Sequence, residues 1–217
     1  MYKALLLSVA LLLPATALAA PHGVTLSQKG AMTVVHGTPG KHMLSNWNPP
    51  PRKSVIFSTF GADNAYNCCS GWTISDPGIV GFEQWFAFPI TPSKDATVTK
   101  IVEAVGYVEG TNSVTIALMS DNGGVPGEVL QEKTVKNLDT FGNCCNVAVA
   151  RFKTGIPVKA GTTYWVGALL PKKSQSNTWD AWNLSSANQN STTAAFYDGT
   201  NWNQTTAAYA AFAVYGQ

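Results

Sequence analysis

The chain has 217 residues, which is enough for one domain of ordinary size. Only 12% of the residues are charged, against roughly 25% in a typical soluble domain, while 45% are hydrophobic and 11% aromatic. The net charge of +2 is too small for a nucleic-acid binder, which needs a clustered basic face, and the aromatic content argues against a disordered tail.

The N-terminus has the form of a secretory signal peptide over residues 1–20. A single basic residue, Lys3, precedes an apolar run over residues 4–13, and the small residues Ala17 and Ala19 follow. The apolar run is too short to span a membrane, which takes about 20 residues. We therefore expect cleavage after Ala19 or Ala20 and a mature protein that is extracellular or periplasmic. The C-terminal residues carry no apolar tail or sorting motif, so we expect no anchor and no membrane span in the mature chain.

Residues 21–53 differ in composition from the rest of the chain. They contain all three histidines, His22, His36 and His42, and a run of three prolines at positions 49–51. Consecutive prolines favour extended polyproline geometry and cannot join a sheet. This predicts a poorly ordered leader whose role the sequence does not define. The spacing of the histidines matches no metal-ligand template, so no metal site is expected.

Residues 54–217 show the period-two alternation of half-buried β-strands. The clearest alternation covers residues 82–90, 114–118, 164–170 and 212–214, and weaker strands are predicted at 55–60, 97–108, 129–136, 147–152 and 194–197. Glycine- and asparagine-rich turns such as Asp121-Asn122-Gly123-Gly124 separate them. About nine or ten short strands predict an all-β fold, a two-layer antiparallel β-sandwich that is jelly-roll-like.

The four cysteines form two adjacent pairs, Cys68-Cys69 and Cys144-Cys145. Export to an oxidising compartment predicts disulfides. Neighbouring Cα atoms are only about 3.8 Å apart, below the usual disulfide range of roughly 4.4–6.8 Å, so cross-links between the two pairs are favoured. Two vicinal rings remain the alternative. Adjacent cysteines do not have the usual spacing of zinc ligands.

The predicted sandwich contains no histidine, so a Ser-His-Asp or Cys-His site cannot be built within residues 54–217. We therefore expect no enzyme and no cofactor. One catalytic alternative remains, a glycoside hydrolase in which Glu83 and Glu103 face each other across a cleft. The competing interpretation is that both carboxylates point to solvent.

Three tryptophans, Trp179, Trp182 and Trp202, lie in segments rich in Asn, Ser and Thr. Exposed indoles stack on sugar rings, and neighbouring groups such as Asp180 and Asn183 bind hydroxyls. These five residues form the predicted ligand site, which requires at least two indoles exposed in one groove. Trp72, Trp85 and Trp165 are expected in the core.

Several aspartates could also supply oxygen ligands to a structural calcium ion. The candidates are Asp180, Asp198 and the Asp121-Asn122 pair, although ordinary turn chemistry explains each of them as well.

The chain from Asn64 to its C-terminus resembles the choice-of-anchor R domain, a secreted bacterial β-sandwich module. The resembling segments are 67–75 (NCCSGWTIS), 110–127 (GTNSVTIALMSDNGGVPG), 140–145 (TFGNCC), 160–165 (AGTTYW) and 180–183 (DAWN). The resemblance implies export and a surface or matrix setting, and it implies no activity.

Taken together, the sequence predicts a non-catalytic secreted or cell-surface module for adhesion, matrix interaction or glycan binding. The alternatives are a dedicated carbohydrate-binding module that uses Trp179, Trp182 and Trp202, and the glycosidase with Glu83 and Glu103. The expected partners are glycans or extracellular matrix, not nucleic acid.

Overall fold

The computed structural model describes residues 23–38, 54–143, 147–171, 177–187 and 191–217. The predicted signal peptide, most of the predicted leader, and Cys144 and Cys145 lie outside these ranges. Fifteen strands are described: β1 Val24–Lys29, β2 Met32–Gly37, β3 Val55–Ser58, β4 Tyr66–Ser75, β5 Trp85–Ile90, β6 Ala96–Glu103, β7 Val105–Gly110, β8 Ser113–Asp121, β9 Pro126–Lys136, β10 Ala148–Val158, β11 Tyr164–Leu169, β12 Thr178–Ser185, β13 Ser191–Tyr197, β14 Trp202–Ala208 and β15 Phe212–Gly216. One α-helix, α1, covers Pro77–Val80.

The strands form three antiparallel sheets. Their orders are β1-β2-β4-β12-β7, β10-β6-β15-β3 and β14-β13-β5-β11-β8-β9. The first two sheets lie side by side, because β6 continues into β7 through Ala104. The Ala104 N–H donates to the Ala211 carbonyl at 2.9 Å, and the Ala104 carbonyl accepts from the Asn183 N–H at 2.8 Å. The all-β sandwich predicted from the sequence is therefore confirmed.

The five-stranded and four-stranded sheets together form one layer, which we call the composite layer. The main core lies between this composite layer and the six-stranded sheet. Trp72 of the composite layer stacks on Phe86 of the six-stranded sheet with ring centroids 4.7 Å apart. Phe88 meets Trp182 at 5.5 Å and Phe212 at 6.2 Å. The inward positions of β5 alternate with outward ones, as the period-two pattern of its sequence requires.

A second apolar cluster covers the outer face of the five-stranded sheet. Trp179 and Val108 point outward there, where Val80 of α1 and Phe141 pack on them. Asp76 fixes the start of α1, since its two carboxylate oxygens accept from the Gly78 and Thr178 N–H groups. Strands β4 and β12 therefore lie in a sheet that is buried on both faces.

Residues 24–37 differ from the expectation of a poorly ordered leader. They form a hairpin, β1–β2, whose turn uses Gly30 in the left-handed region at φ +66°. Strand β2 pairs with β4, and Met32 and Val34 join the main core. Burial of these apolar side chains orders residues 24–37 of the predicted leader. Residues 21–22 and 39–53 of that leader lie outside the described ranges.

Candidate functional site

The structure does not form the predicted groove of three tryptophans. Trp182 is 0% exposed and faces the main core, while Trp179 is 1% exposed beneath α1. They occupy opposite faces of β12, because residues three apart on a strand point to opposite sides. Only Trp202, on β14 of the other layer, is partly open to solvent. The prediction for Trp179 and Trp182 is wrong, since both faces of β12 are covered.

The polar members of the predicted site are buried as well. The Asn183 amide donates to the Asn67 carbonyl at 2.9 Å and so joins β12 to β4. Asp180 is 0% exposed, and no donor among the described residues reaches either carboxylate oxygen. Burial raises the pKa of Asp180 well above its usual range. Neither side chain can contact a ligand from solvent.

The carboxylate pair of the glycosidase alternative is not formed. Glu103 is 0% exposed, and its cross-strand neighbours are Ala148 and Phe212 of the core. Glu83 instead precedes β5 and packs against the turn at Gly199. Burial, and secondly the charge of Asp76, raise the pKa of Glu83. The expectation that both carboxylates point to solvent is also wrong for Glu103.

Of the three aspartates considered as calcium ligands, Asp180 is buried without a described partner, whereas the other two make internal hydrogen bonds. Asp121 accepts from the Trp165 indole N–H at 2.7 Å. Asp198 accepts from the backbone N–H groups of Thr200 and Asn201 and from the Asn203 amide, and these bonds lower its pKa. The described ranges hold no group of three or more His, Cys, Asp or Glu side chains that could bind a metal ion.

His36 forms a contact that the sequence argument did not consider. The β1–β2 hairpin brings its Nδ1 to 3.0 Å from the Ser70 hydroxyl, although no histidine lies in residues 54–217. Its Nε2 is 2.8 Å from the Ser27 hydroxyl. Hydroxyl groups therefore contact both ring nitrogens, and within the described ranges no carboxylate is hydrogen-bonded to this imidazole as in a catalytic triad.

The outer face of the six-stranded sheet carries a different candidate site. A row of small or polar residues crosses the middle of this face from β14 to β9: Gln204, Ala195, Ala87, Gly167, Ala117 and Glu132. Larger side chains stand on both sides of it, with Trp85 and Trp202 on one side and Trp165 and Met119 on the other.

We call the resulting cavity the aromatic hollow. It has a volume of about 380 Å³ and is lined by Trp85, Thr115, Met119, Gly127, Val129, Glu132, Thr134, Lys136, Leu169, Leu170, Pro171 and Trp202. Its floor includes Met119, which folds over Gly167. A Cβ atom at position 167 would lie 2.7 Å from the Met119 methyl group, so any larger residue there would push this methyl group aside.

Trp85 and Trp202 form one wall of the aromatic hollow, and the ring of Tyr197 packs against both indoles. Trp85 stacks on Tyr197 with centroids 4.4 Å apart and planes at 22°. Trp202 meets Trp85 edge-on at 6.4 Å and Tyr197 at 5.6 Å. Because each ring is held by the other two, the partly exposed indole of Trp202 has a fixed orientation, which reduces the entropy lost on binding.

The opposite side of the aromatic hollow is polar. Thr115 and Thr134 share a hydroxyl hydrogen bond of 2.9 Å. Glu132 and Lys136 lie on the same strand, β9, and both are exposed at the rim. The cavity therefore combines an aromatic wall with hydroxyl, carboxylate and ammonium groups that can bind a polar ligand.

The turn between β8 and β9 extends over the outer face. The Gln204 amide on β14 donates to the Gly124 carbonyl at 3.0 Å, although β14 and β8 are separated by three strands. A Cβ at Gly124, whose φ is +91°, would lie 2.8 Å from the Gln204 amide nitrogen. Asp121, Gly124 and Trp165 line a second, polar hollow of about 470 Å³, so the turn divides the outer face.

Sequence reasoning assigned Trp85 to the core and therefore missed it as a site residue. The sequence did contain an indication of this, because alternate residues of a strand face opposite sides. Trp85 and Ala87 occupy odd-numbered positions of β5, whereas the core residues Phe86 and Phe88 occupy even-numbered ones. Trp202 was predicted as an exposed indole in one groove with Trp179 and Trp182, whereas the structure places it partly exposed beside Trp85 and Tyr197.

The fold and the hollow together define an all-β sandwich with an aromatic-lined cavity on the outer face of one layer. The chain matches no protein-family model, and no curated protein or solved structure is found to be similar to it. Within the described ranges, no helix is long and apolar enough to cross a membrane.

Proposed function

We propose that the chain is an exported, non-catalytic binding module and that the aromatic hollow binds a sugar. The observation that carries this proposal is the fixed, partly exposed indole of Trp202 opposite a polar rim. The apolar face of a pyranose ring packs on such an indole, and its hydroxyls bind the side chains of Thr115, Glu132 and Lys136. The cavity volume lies at the lower end of the range typical of small-ligand sites.

Trp202→Ala should weaken glycan binding roughly tenfold to a hundredfold, because burial of a large apolar side chain contributes about 1.5–3 kcal/mol. Trp202→Phe, which keeps a ring, should lose less. The measurement is a glycan-array screen of the full chain, followed by titration calorimetry with the best ligand. Leu26→Ala is the matched control, since Leu26 is exposed on β1 in the other layer.

Two results would contradict this assignment. Failure of the parent chain to bind any glycan would reject glycan binding as the function. Binding that survives Trp202→Ala and Trp85→Ala unchanged would place the site elsewhere. Cooperative unfolding of each variant, followed by far-UV circular dichroism, confirms that a loss of binding is not a loss of fold.

A second candidate is adhesion to a protein, and strand β9 favours it. This strand lies at an edge of the six-stranded sheet, and Val129 and Leu130 are both exposed there. Exposed edge strands can pair with a strand of a partner. Leu130→Lys should abolish such pairing, while sugar binding through Trp202 should depend much less on this residue, because Leu130 does not line the aromatic hollow.

Export is part of the same proposal, and it rests on the apolar run at residues 4–13 and the small residues that follow. N-terminal sequencing of the protein recovered from its producing cells tests it. A first residue at position 20 or 21 is the expected result, and an intact Met1 would reject processing.

A further inference from the structure

Strand β4 contains a large bulge opposite β12. Asn183 pairs with Gly71 and Ser185 pairs with Tyr66, so two steps along β12 face five steps along β4. The three extra residues of β4 have no counterpart in the ladder. Cys68 and Cys69 lie in this bulge, where the regular alternation of side chains is interrupted.

The bulge places the two thiols side by side. Successive residues of a regular strand point to opposite faces, yet the Sγ atoms of Cys68 and Cys69 are 3.2 Å apart. Both cysteines are half-buried and neither forms a disulfide. The pair is therefore a vicinal dithiol held by the local backbone.

Hydrogen bonds to Asn67 fix the backbone of this dithiol. The Asn67 side-chain oxygen accepts from the Cys69 N–H at 3.0 Å. The Asn67 carbonyl accepts from the buried Asn183 amide at 2.9 Å, and the Asn183 N–H in turn donates to Ala104. The bulge is thus tied to β12 and, through Asn183, to Ala104 between β6 and β7, so its shape does not depend on a bond between the thiols.

We propose that Cys68 and Cys69 form a reversible redox site that closes to a vicinal disulfide by exchange with a small external disulfide such as oxidised glutathione. The thiolate of one cysteine attacks the external disulfide, which forms a mixed disulfide and releases one thiolate. The second cysteine, as its thiolate, then attacks the protein sulfur of the mixed disulfide and releases the other. The two thiol protons go to the two released thiolates, and two electrons pass to the external disulfide.

The environment of the pair controls the rate of these steps. Burial, and then the neighbouring Cys68 thiol, raise the pKa of Cys69 to about 12. The thiolate is the attacking species, so the exchange should become faster as the pH rises. Neighbouring Cα atoms are only about 3.8 Å apart, below the usual disulfide range, so the ring is strained and readily reduced.

The test uses the full chain with Cys144→Ser and Cys145→Ser, which leaves only this pair. The reduced protein is incubated with oxidised glutathione, and its free thiols are then alkylated. Peptide mapping without reduction should show the peptide that carries Cys68 and Cys69 lighter by two hydrogens and without alkyl groups. A mild reductant should restore both thiols. Adding Cys69→Ser to the same background is the matched control, and it should stop at a glutathione adduct on Cys68.

Three outcomes would overturn the proposal. The first is a glutathione adduct that persists on the pair, and the second is full alkylation of both cysteines after oxidation. The third comes from mapping the unsubstituted chain, which also covers the case in which the serine variant fails to fold. There, a peptide that joins Cys68 or Cys69 to Cys144 or Cys145 would show that the cysteines serve as cross-links instead.

Discussion

Trp182→Ala should strongly destabilise the fold, although Trp182 does not line the aromatic hollow. The indole is fully buried, and it contacts Phe88 at 5.5 Å and Phe212 at 5.7 Å between ring centroids. Its N–H donates to the Ala211 carbonyl at 3.1 Å. Truncating a buried tryptophan costs about 3–5 kcal/mol, a large part of the roughly 5–15 kcal/mol that stabilises a typical domain.

Urea unfolding followed by tryptophan fluorescence measures this effect. We expect the midpoint for Trp182→Ala to fall far below that of Trp202→Ala, because the second indole is only partly buried. Trp182→Phe keeps the apolar volume near Phe88 but loses the bond to Ala211, so its midpoint should lie between those of the parent and Trp182→Ala. A stable Trp182→Ala variant that no longer binds its ligand would contradict the structural assignment.

The contrast between these two tryptophans explains what the sequence can predict. Strands β5, β8, β11 and β15 were found because their apolar residues alternate with small or polar ones. Such alternation indicates a strand with one buried face. Phe86 and Phe88 of β5 do face the main core. The sandwich class could therefore be predicted from these strands together with the weaker ones and the turns between them.

Strands β4 and β12 were not predicted, because they are buried on both faces. Trp182 and Asp180 face the main core, while Trp179 lies under α1 and Phe141. A strand covered on both sides has no period of two in hydrophobicity, and the Asn and Asp residues of β12 suggest an exposed surface. The long-range contact with Phe141 that buries Trp179 cannot be inferred from local sequence.

The candidate site was only partly predictable for a related reason. Trp85 and Trp202 are more than a hundred residues apart in sequence, and they meet because β13 pairs with both β5 and β14. Strand order is a property of the whole fold. The alternation of side chains along β5 could have indicated that Trp85 faces away from Phe86. It could not have indicated which ring lies beside Trp85.

Glu103→Gln should make the chain more stable at alkaline pH and leave its stability at acid pH nearly unchanged. Both oxygens of Glu103 are buried, and no donor among the described residues reaches them. Burial raises the pKa of Glu103 well above its usual range, so the folded chain holds this proton at a pH where the unfolded chain has lost it. The contribution of Glu103 to the free energy of unfolding is therefore highest below its ordinary pKa of about 4.3. This contribution falls as the pH rises toward the raised pKa.

Urea midpoints of the parent and the variant across this pH range measure the difference. The gain of Glu103→Gln at alkaline pH should be on the order of several kcal/mol, which is the effective penalty for burying an unpaired ion. Glu132→Gln is the matched control, because Glu132 is exposed on β9 and should give a curve parallel to that of the parent. Parallel curves for the parent and Glu103→Gln would show that Glu103 finds a partner or water in the folded protein.

Asp180 should behave in the same way, because burial alone also raises its pKa. Its cross-strand neighbours are Ile74 and Tyr107, whereas those of Glu103 are Ala148 and Phe212, so the two carboxyls share no partner. The effects of Asp180→Asn and Glu103→Gln should therefore add in the double variant. A double variant that gains no more than either single one would mean that only one carboxyl ionises as the pH rises.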